Sequence, residues 1–210
     1  TFSNVNANHT IAASFAINTY PLNTAVVGNG SIGKAPDLSA YNHGSVVIIT
    51  AIPAVGWSFS GWSGDASGST NPLNVTMDAA KNITASFTLN TYTLNVSATN
   101  GSVTKIPDQP SYDHGTAVSL TATPDPGHAF TGWSGDASGS ANPLSLTMDG
   151  NKNIAANFAL LNYIISATAG PNGGITPSGN TTVSHGGSLS YTITPDLGYQ
   201  VIDVLVDGVS

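Results

Sequence analysis

Apolar side chains recur at every second position in short runs along this chain. Ile11, Ala13 and Phe15 alternate with small or polar residues, and the alternation returns as Ile83, Ala85, Phe87 and again as Ile154, Ala156, Phe158. Period two marks a half-buried strand, because successive side chains of an extended backbone point to opposite faces. Tyr20-Pro21-Leu22-Asn23-Thr24-Ala25-Val26 and residues 92–98 read as a second strand type, the latter closed by the turn dipeptide Asn100-Gly101. Pro21 lacks a backbone donor, so its strand belongs at a sheet edge or with that position turned from a partner. Val47, Ile49 and Ala51, like Val118, Leu120 and Ala122, mark the strand expected at the sheet centre. Aromatic strands ending on Trp62 and Trp133 follow, and then runs ending on Met77 and Met148. No window has helical periodicity, and Gly, Pro, Asn and Thr penalise a helix almost everywhere. The reading is an all-β fold, β-grasp-like in its most specific form, with about six short antiparallel strands per unit.

The runs are organised by internal repetition, which decides the architecture before any motif does. Phe59-Ser60-Gly61-Trp62-Ser63-Gly64-Asp65-Ala66-Ser67-Gly68-Ser69 returns almost unchanged as residues 130–140, 71 residues later. Tyr20, Tyr92 and Tyr163 open successive copies. His43-Gly44, His114-Gly115 and His185-Gly186 recur, as do Pro53, Pro124 and Pro195. Phe15, Phe87 and Phe158 each precede an opening tyrosine by five residues. The chain therefore divides into 1–17, the closing strands of one repeat; 18–89 and 90–160, two complete repeats; and 161–210, the front of a divergent one. Where the third copy should carry Phe-x-Gly-Trp it has Val201-Ile202-Asp203-Val204-Leu205-Val206-Asp207-Gly208. Val201, Val204 and Val206 are expected to fill its core within the same topology. Trp62, Trp133, Phe59, Phe130, Phe87 and Phe158 are the expected core aromatics.

Taken together, the Tyr-x-Leu, Asn-Gly-Ser-Val, His-Gly, Phe-x-Gly-Trp-Ser-Gly-Asp and Asn-Ile-x-Ala-x-Phe landmarks resemble the divergent branch of the internalin B-type repeats, found in tandem in bacterial cell-surface and secreted proteins. The resemblance covers essentially the whole chain. It implies stalk, spacer or adhesion roles and no catalytic residues.

Composition narrows the partners. The chain has no Glu and no Arg; eleven acidic residues, all Asp, stand against four lysines, for a formal charge of −7. Such a surface repels phosphate backbones and anionic membranes, so neither nucleic acid nor membrane insertion by this segment is expected. No apolar run approaches the roughly 20 residues that span a bilayer, and no signal peptide is recognised. With no Cys there is no disulfide or thiolate chemistry. Many Gly, Ser, Thr and Asn with few charges suit an extracellular or cell-surface protein of a bacterium or archaeon.

Several residues invite sharper readings. The Gly-Asp-Ala-Ser-Gly loops superficially suggest a serine nucleophile, but no base and orienting group accompany them. Asp65, Ser67, Ser69 and Asn71, repeated as Asp136, Ser138, Ser140 and Asn142, space oxygens at alternate positions, making Asp65, Ser67, Asp136 and Ser138 weak calcium candidates. Calcium prefers six to eight oxygens with several carboxylates, whereas turn amides can engage Asp and Ser directly. No cofactor is expected. The recurrent histidines occur once per repeat and cannot share a metal; a turn position before glycine suits them, where histidine tolerates unusual backbone angles. His128 stands alone. The tryptophans could be sugar-stacking platforms, though a Trp at the end of an alternating strand is more often packing. Lys81 and Lys152, each beside an Asn, suggest an isopeptide crosslink, but no Glu is present to catalyse it.

The function expected is a non-catalytic extracellular structural repeat protein, a stalk or filament segment; the competing reading is a surface adhesin binding glycan or a host protein. Residues 161–210 lack the last strands of a repeat, and residues 1–17 are such strands without a body. Either the copies join head to tail, Phe2, Val5, Ile11, Ala13 and Phe15 entering a groove lined by Tyr163, Ile165, Leu189, Tyr191 and Val204, or the junction is an ordinary loop of a longer array.

Overall fold

The computed structural model describes residues 1–209, in two compact units, one ending at Thr91 and one beginning at Tyr92. The first holds β1 (Thr19–Tyr20), β2 (Leu22–Val27), β3 (Gly30–Ala35), β4 (Tyr41–Asn42), β5 (Val46–Pro53), β6 (Trp57–Gly64), β7 (Leu73–Thr76) and β8 (Lys81–Leu89). The series recurs as β9 (Thr91–Tyr92), β10 (Leu94–Ala98), β11 (Gly101–Ile106), β12 (Tyr112–Asp113), β13 (Ala117–Pro124), β14 (His128–Gly135), β15 (Leu144–Thr147) and β16 (Lys152–Leu160). The third copy forms β17 (Asn162–Ala167), β18 (Gly173–Thr176), β19 (Gly179–Ser184) and β20 (Thr192–Pro195). Each complete copy has six strands longer than two residues, and no helix occurs among the described residues. The sheets therefore pack on each other rather than around a helix.

Each complete copy builds two three-stranded sheets, β2-β8-β6 and β3-β5-β7, then β10-β16-β14 and β11-β13-β15. β5 and β13 are central, as their alternation predicts. Pro21 directly precedes the edge strand β2, where its missing N–H breaks no ladder, and its carbonyl accepts the Lys81 N–H at 3.1 Å. One ladder per copy is parallel: β2 with β8, and β10 with β16. Parallel neighbours need a long crossover, and the five intervening strands supply it. Asn29-Gly30 and Asn100-Gly101 turn the chain from one sheet into the other, with Asn100 in the left-handed region at φ 66°.

The core lies between the sheets. Leu22, Trp62, Ile83, Ala85 and Phe87 face Val47, Ile49, Ala51, Val75 and Met77, and the second copy repeats the arrangement around Trp133, Ile154, Leu120 and Met148. Burying each large aliphatic or aromatic side chain is worth about 1.5–3 kcal/mol relative to exposure. The Phe-x-Gly-Trp spacing looks wrong for one face, since positions three apart on a regular strand point oppositely. A bulge corrects it. Phe59 pairs with Phe87, but Gly61 pairs with Ser86 and Trp62 with Ala85, so Ser60 is the extra residue. Phe59 and Trp62 thereby share the buried face, their ring centroids 5.0 Å apart. The bulge places Gly61 at φ 153° and Gly132 at 144°, backbone that glycine adopts without penalty.

Two segments depart from the complete copies. Residues 1–18 form no strand, and Phe15 is 94% exposed and Ile11 75%. Alternation alone cannot hold a strand; β8 and β16 carry the same pattern but have partners on both edges, which residues 9–17 lack. In the third copy, Val201, Val204 and Val206 are exposed and belong to no named strand. Their counterparts in β14 pair with β16, and among the described residues nothing stands beside 199–206 in that role. β20 is likewise shorter than its counterpart β13, whose first half pairs with β15.

Candidate functional site

The tryptophan and its loop form a closed latch. Trp62 is 5% exposed and Trp133 4%. The Trp62 indole Nε1–H donates to the Thr70 carbonyl at 2.9 Å, and its backbone N–H to Gly68 at 2.8 Å; Trp133 does the same with Ala141 and Gly139. The loop between is anchored to the closing strand: the Asp65 N–H donates to the Asn82 carbonyl at 2.8 Å, and its carboxylate accepts the Asn82 N–H at 2.6 Å. Asp136 makes the same pair with Asn153. A Cβ at Gly64 or Gly135 would overlap the carbonyl oxygen of Asn82 or Asn153, so glycine is what lets the loop lie this close.

These bonds show what the proposed cation oxygens are doing. Asp65 and Asp136 each spend one oxygen on a backbone amide, while Ser67 and Ser138 are exposed. Asn71 is turned to β5, its Oδ1 accepting the Ala51 N–H at 2.9 Å and its Nδ2 donating to the Ala51 carbonyl at 2.8 Å. It acts as a one-residue strand partner, and Asn142 does the same for Ala122. Among the described residues no three metal-ligating side chains cluster. Sequence reasoning missed this use of asparagine; the recurrent Asn-Pro dipeptide was the available signal. It also missed Tyr41 and Tyr112, 2% and 1% exposed, whose hydroxyls donate to the Pro36 and Pro107 carbonyls at 2.9 Å and accept the Leu38 and Gln109 N–H groups. Their signal was a tyrosine two residues before each His-Gly; the third copy has Val183 there.

All four lysines pair with an aspartate three residues away: Lys34 with Asp37, Lys81 with Asp78, Lys105 with Asp108 and Lys152 with Asp149, at 2.6–3.1 Å. The bond to Lys81, then its charge, holds Asp78 below the usual carboxylate value, and Lys152 does the same to Asp149. The bond to Asp78 raises Lys81, and that to Asp108 raises Lys105. Lys81 and Lys152 thus have ionic partners.

Each recurrent histidine packs on the opening tyrosine of its own copy. His43, His114 and His185 lie against Tyr20, Tyr92 and Tyr163, with ring centroids 5.9–6.0 Å apart. The unusual backbone angles expected of them fall on the next residue instead, Gly44, Gly115 and Gly186 having φ 72–86°. A glycine tolerates that region without the Cβ clash a histidine would meet, so the pair divides the work. Between the second and third copies, Leu161 donates its N–H to the Gly127 carbonyl and accepts the His185 N–H, both at 2.8 Å. The His185 ring occupies the space a Cβ on Gly127 would take. In the first unit the Asn90 N–H donates to the Gly56 carbonyl and the Asn18 carbonyl accepts the His43 N–H, the two kinds of bond that meet at Leu161 in the second unit.

The third copy leaves its apolar face open. Tyr163 is 50% exposed, Ile165 39% and Val204 49%; Leu189 and Tyr191 are half-buried, and the Tyr191 hydroxyl is buried without a hydrogen-bond partner. Phe2 and Val5 are also exposed, Phe2 stacking on His9 at 5.3 Å, and Ala13 is exposed with them.

Comparison with curated proteins gives no match, and no solved structure matches. The divergent InlB B-repeat domain matches three times in tandem, at residues 20–91, 92–162 and 163–204. Those boundaries fall at the opening tyrosines and span most of the sequence, and the chain belongs to the divergent InlB B-repeat family.

Proposed function

We propose that this chain is a non-catalytic spacer, a stalk or filament segment of a bacterial or archaeal cell-surface or secreted protein. The observation that carries this reading is the joint. β8 passes to β9 through Asn90 alone and β16 to β17 through Leu161 alone, and Leu161 is bonded on both sides. A one-residue connection with its backbone groups paired suits the transmission of force, and in repeat arrays stability is close to a sum of units and nearest-neighbour contacts. Burial of both anchor indoles favours packing over glycan stacking, and the engaged oxygens of Asp65 and Asp136 favour a fold that needs no calcium.

Single-molecule stretching tests the mechanical reading. Each complete repeat is expected to open as one event, releasing about 3.3–3.6 Å per residue, with the same trace in calcium and in chelator. Smooth extension without discrete events, or a specific glycan bound through the loops at Asp65 or Asp136, would replace the spacer with the adhesin.

A further inference from the structure

We infer that Gly127 and His185 form a lock that holds the third copy at one fixed angle to the second, so that the two move as a stiff segment rather than as tethered bodies. This inference rests on the spacer reading above and deepens it: a one-residue connection explains why the copies stay joined, and the lock explains why they stay aligned.

Without such a device the expectation is motion. Neighbouring units of one chain reorient relative to each other unless a specific contact prevents it. A connector turns through the φ and ψ of its own residues, and here the connector is Leu161 alone, between β16 and β17. Its N–H is held by the Gly127 carbonyl of the second copy and its carbonyl by the His185 N–H of the third, both at 2.8 Å. Rotation at Leu161 therefore has to break one bond or the other. Two backbone bonds open to water are weak restraints by themselves. The side chains supply the shape.

Gly127 has φ 79° in the turn between β13 and β14. That angle favours glycine, but so does φ 86° at Gly115, where an added Cβ would meet nothing within 4 Å. At Gly127 a second demand is added. A Cβ there would lie 2.6 Å from Cγ and 2.7 Å from Nε2 of His185, and closer still to Cδ2. The imidazole of the third copy thus fills the space that any side chain at 127 would need, and close packing of this kind transmits displacement instead of absorbing it. Within its own copy the ring is braced by Tyr163, their centroids 6.0 Å apart and the tyrosine hydroxyl 3.5 Å from Nδ1. Tyr163 is in turn fixed in β17 opposite Val183 of β19. The histidine is a key carried by the third copy, and the glycine is its seat in the second.

Two spin labels read the angle directly, because the chain has no cysteine of its own. Ser145→Cys on β15 and Thr182→Cys on β19 place one label in each copy at an exposed strand position. Double electron-electron resonance on this doubly labelled chain is expected to give a single narrow distance distribution. Adding Gly127→Ala should broaden it about twofold or more, as the copies regain the reorientation usual between units. Adding His185→Ala leaves the turn of the second copy untouched and should broaden it likewise, without moving the melting of that copy. Adding Gly115→Ala imposes the same backbone penalty with no ring to displace, and the width should not change. A broad distribution in the doubly labelled parent, an unchanged width with Gly127→Ala or His185→Ala, or equal broadening with Gly115→Ala would each overturn the inference. A flexible joint would still let each complete repeat open as one event on stretching, so failure of the lock and failure of the spacer reading are told apart.

Discussion

The second and third copies start from the same landmarks and reach different states. Tyr92 and Tyr163, His114 and His185, and Pro124 and Pro195 correspond, yet residues 92–160 enclose Trp133 while residues 163–209 leave most of their apolar side chains exposed. The difference lies in β16. It is the central strand of its sheet, parallel to β10 and antiparallel to β14, and its Phe158 closes over Gly101. Without a strand in that role, Val201 and Val204, in the places of Phe130 and Trp133, have neither a ladder nor a facing sheet. Where no counterpart of the edge strand β15 stands, β20 is shorter than β13; where none of the central strand β16 stands, residues 199–206 form no named strand.

That contrast can be broken most severely at the indole. Trp133→Ala is expected to cost about 3–5 kcal/mol and to unfold the second copy at modest denaturant concentration, whereas Val204→Ala, at an exposed site, should change stability by about 0.5 kcal/mol or less. Equal losses in chemical denaturation would show that the third copy has a closed core after all. Glycine gives the next largest contrast. Gly101→Ala must displace the Phe158 ring and should cost about 1–3 kcal/mol, while Gly173→Ala meets nothing nearer than the Thr194 carbonyl at 3.1 Å and should be nearly neutral. Thermal melts of the two variants make the comparison.

Asn142→Asp is subtler. The carboxylate can still accept the Ala122 N–H but cannot donate to its carbonyl, leaving a buried acceptor unpaired at about 1–3 kcal/mol. If Asn142→Asp melts with the wild type, the strand-partner role of Asn142 is wrong. The smallest effect is electrostatic. Asp78 and Asp149 are held below their ordinary value of 3.8, so their contribution is complete above that value and is lost as pH falls through the lower folded one. Lys81 and Lys105 are raised above 10.5, so theirs is complete below that value and is lost as pH rises through the higher folded one. These groups are at the surface and screened, so an acid titration should show only a slight fall in melting temperature below about pH 4. Asp149→Asn should reduce it; residues 161–210 contain no lysine to make such a pair.

Much of the fold was legible in the residues themselves. Alternation located the six strands and the central positions of Val118, Leu120 and Ala122, because the pleat ties side-chain direction to sequence parity. Repetition identified the units, because each must bury the same face. Parity could not reveal the bulge at Ser60, which inserts a residue and reverses the face of everything after it. Nor could it reveal that β2 and β8 run parallel, that Asn71 substitutes for a strand, or that Tyr41 ties the loop at Pro36, since each depends on a partner about five to sixty residues away that only the packed chain brings near. The same limit explains residues 9–17. Their pattern is that of a central strand, but whether a pattern becomes a strand is decided by the neighbours that accept its backbone hydrogen bonds, and those belong to tertiary structure.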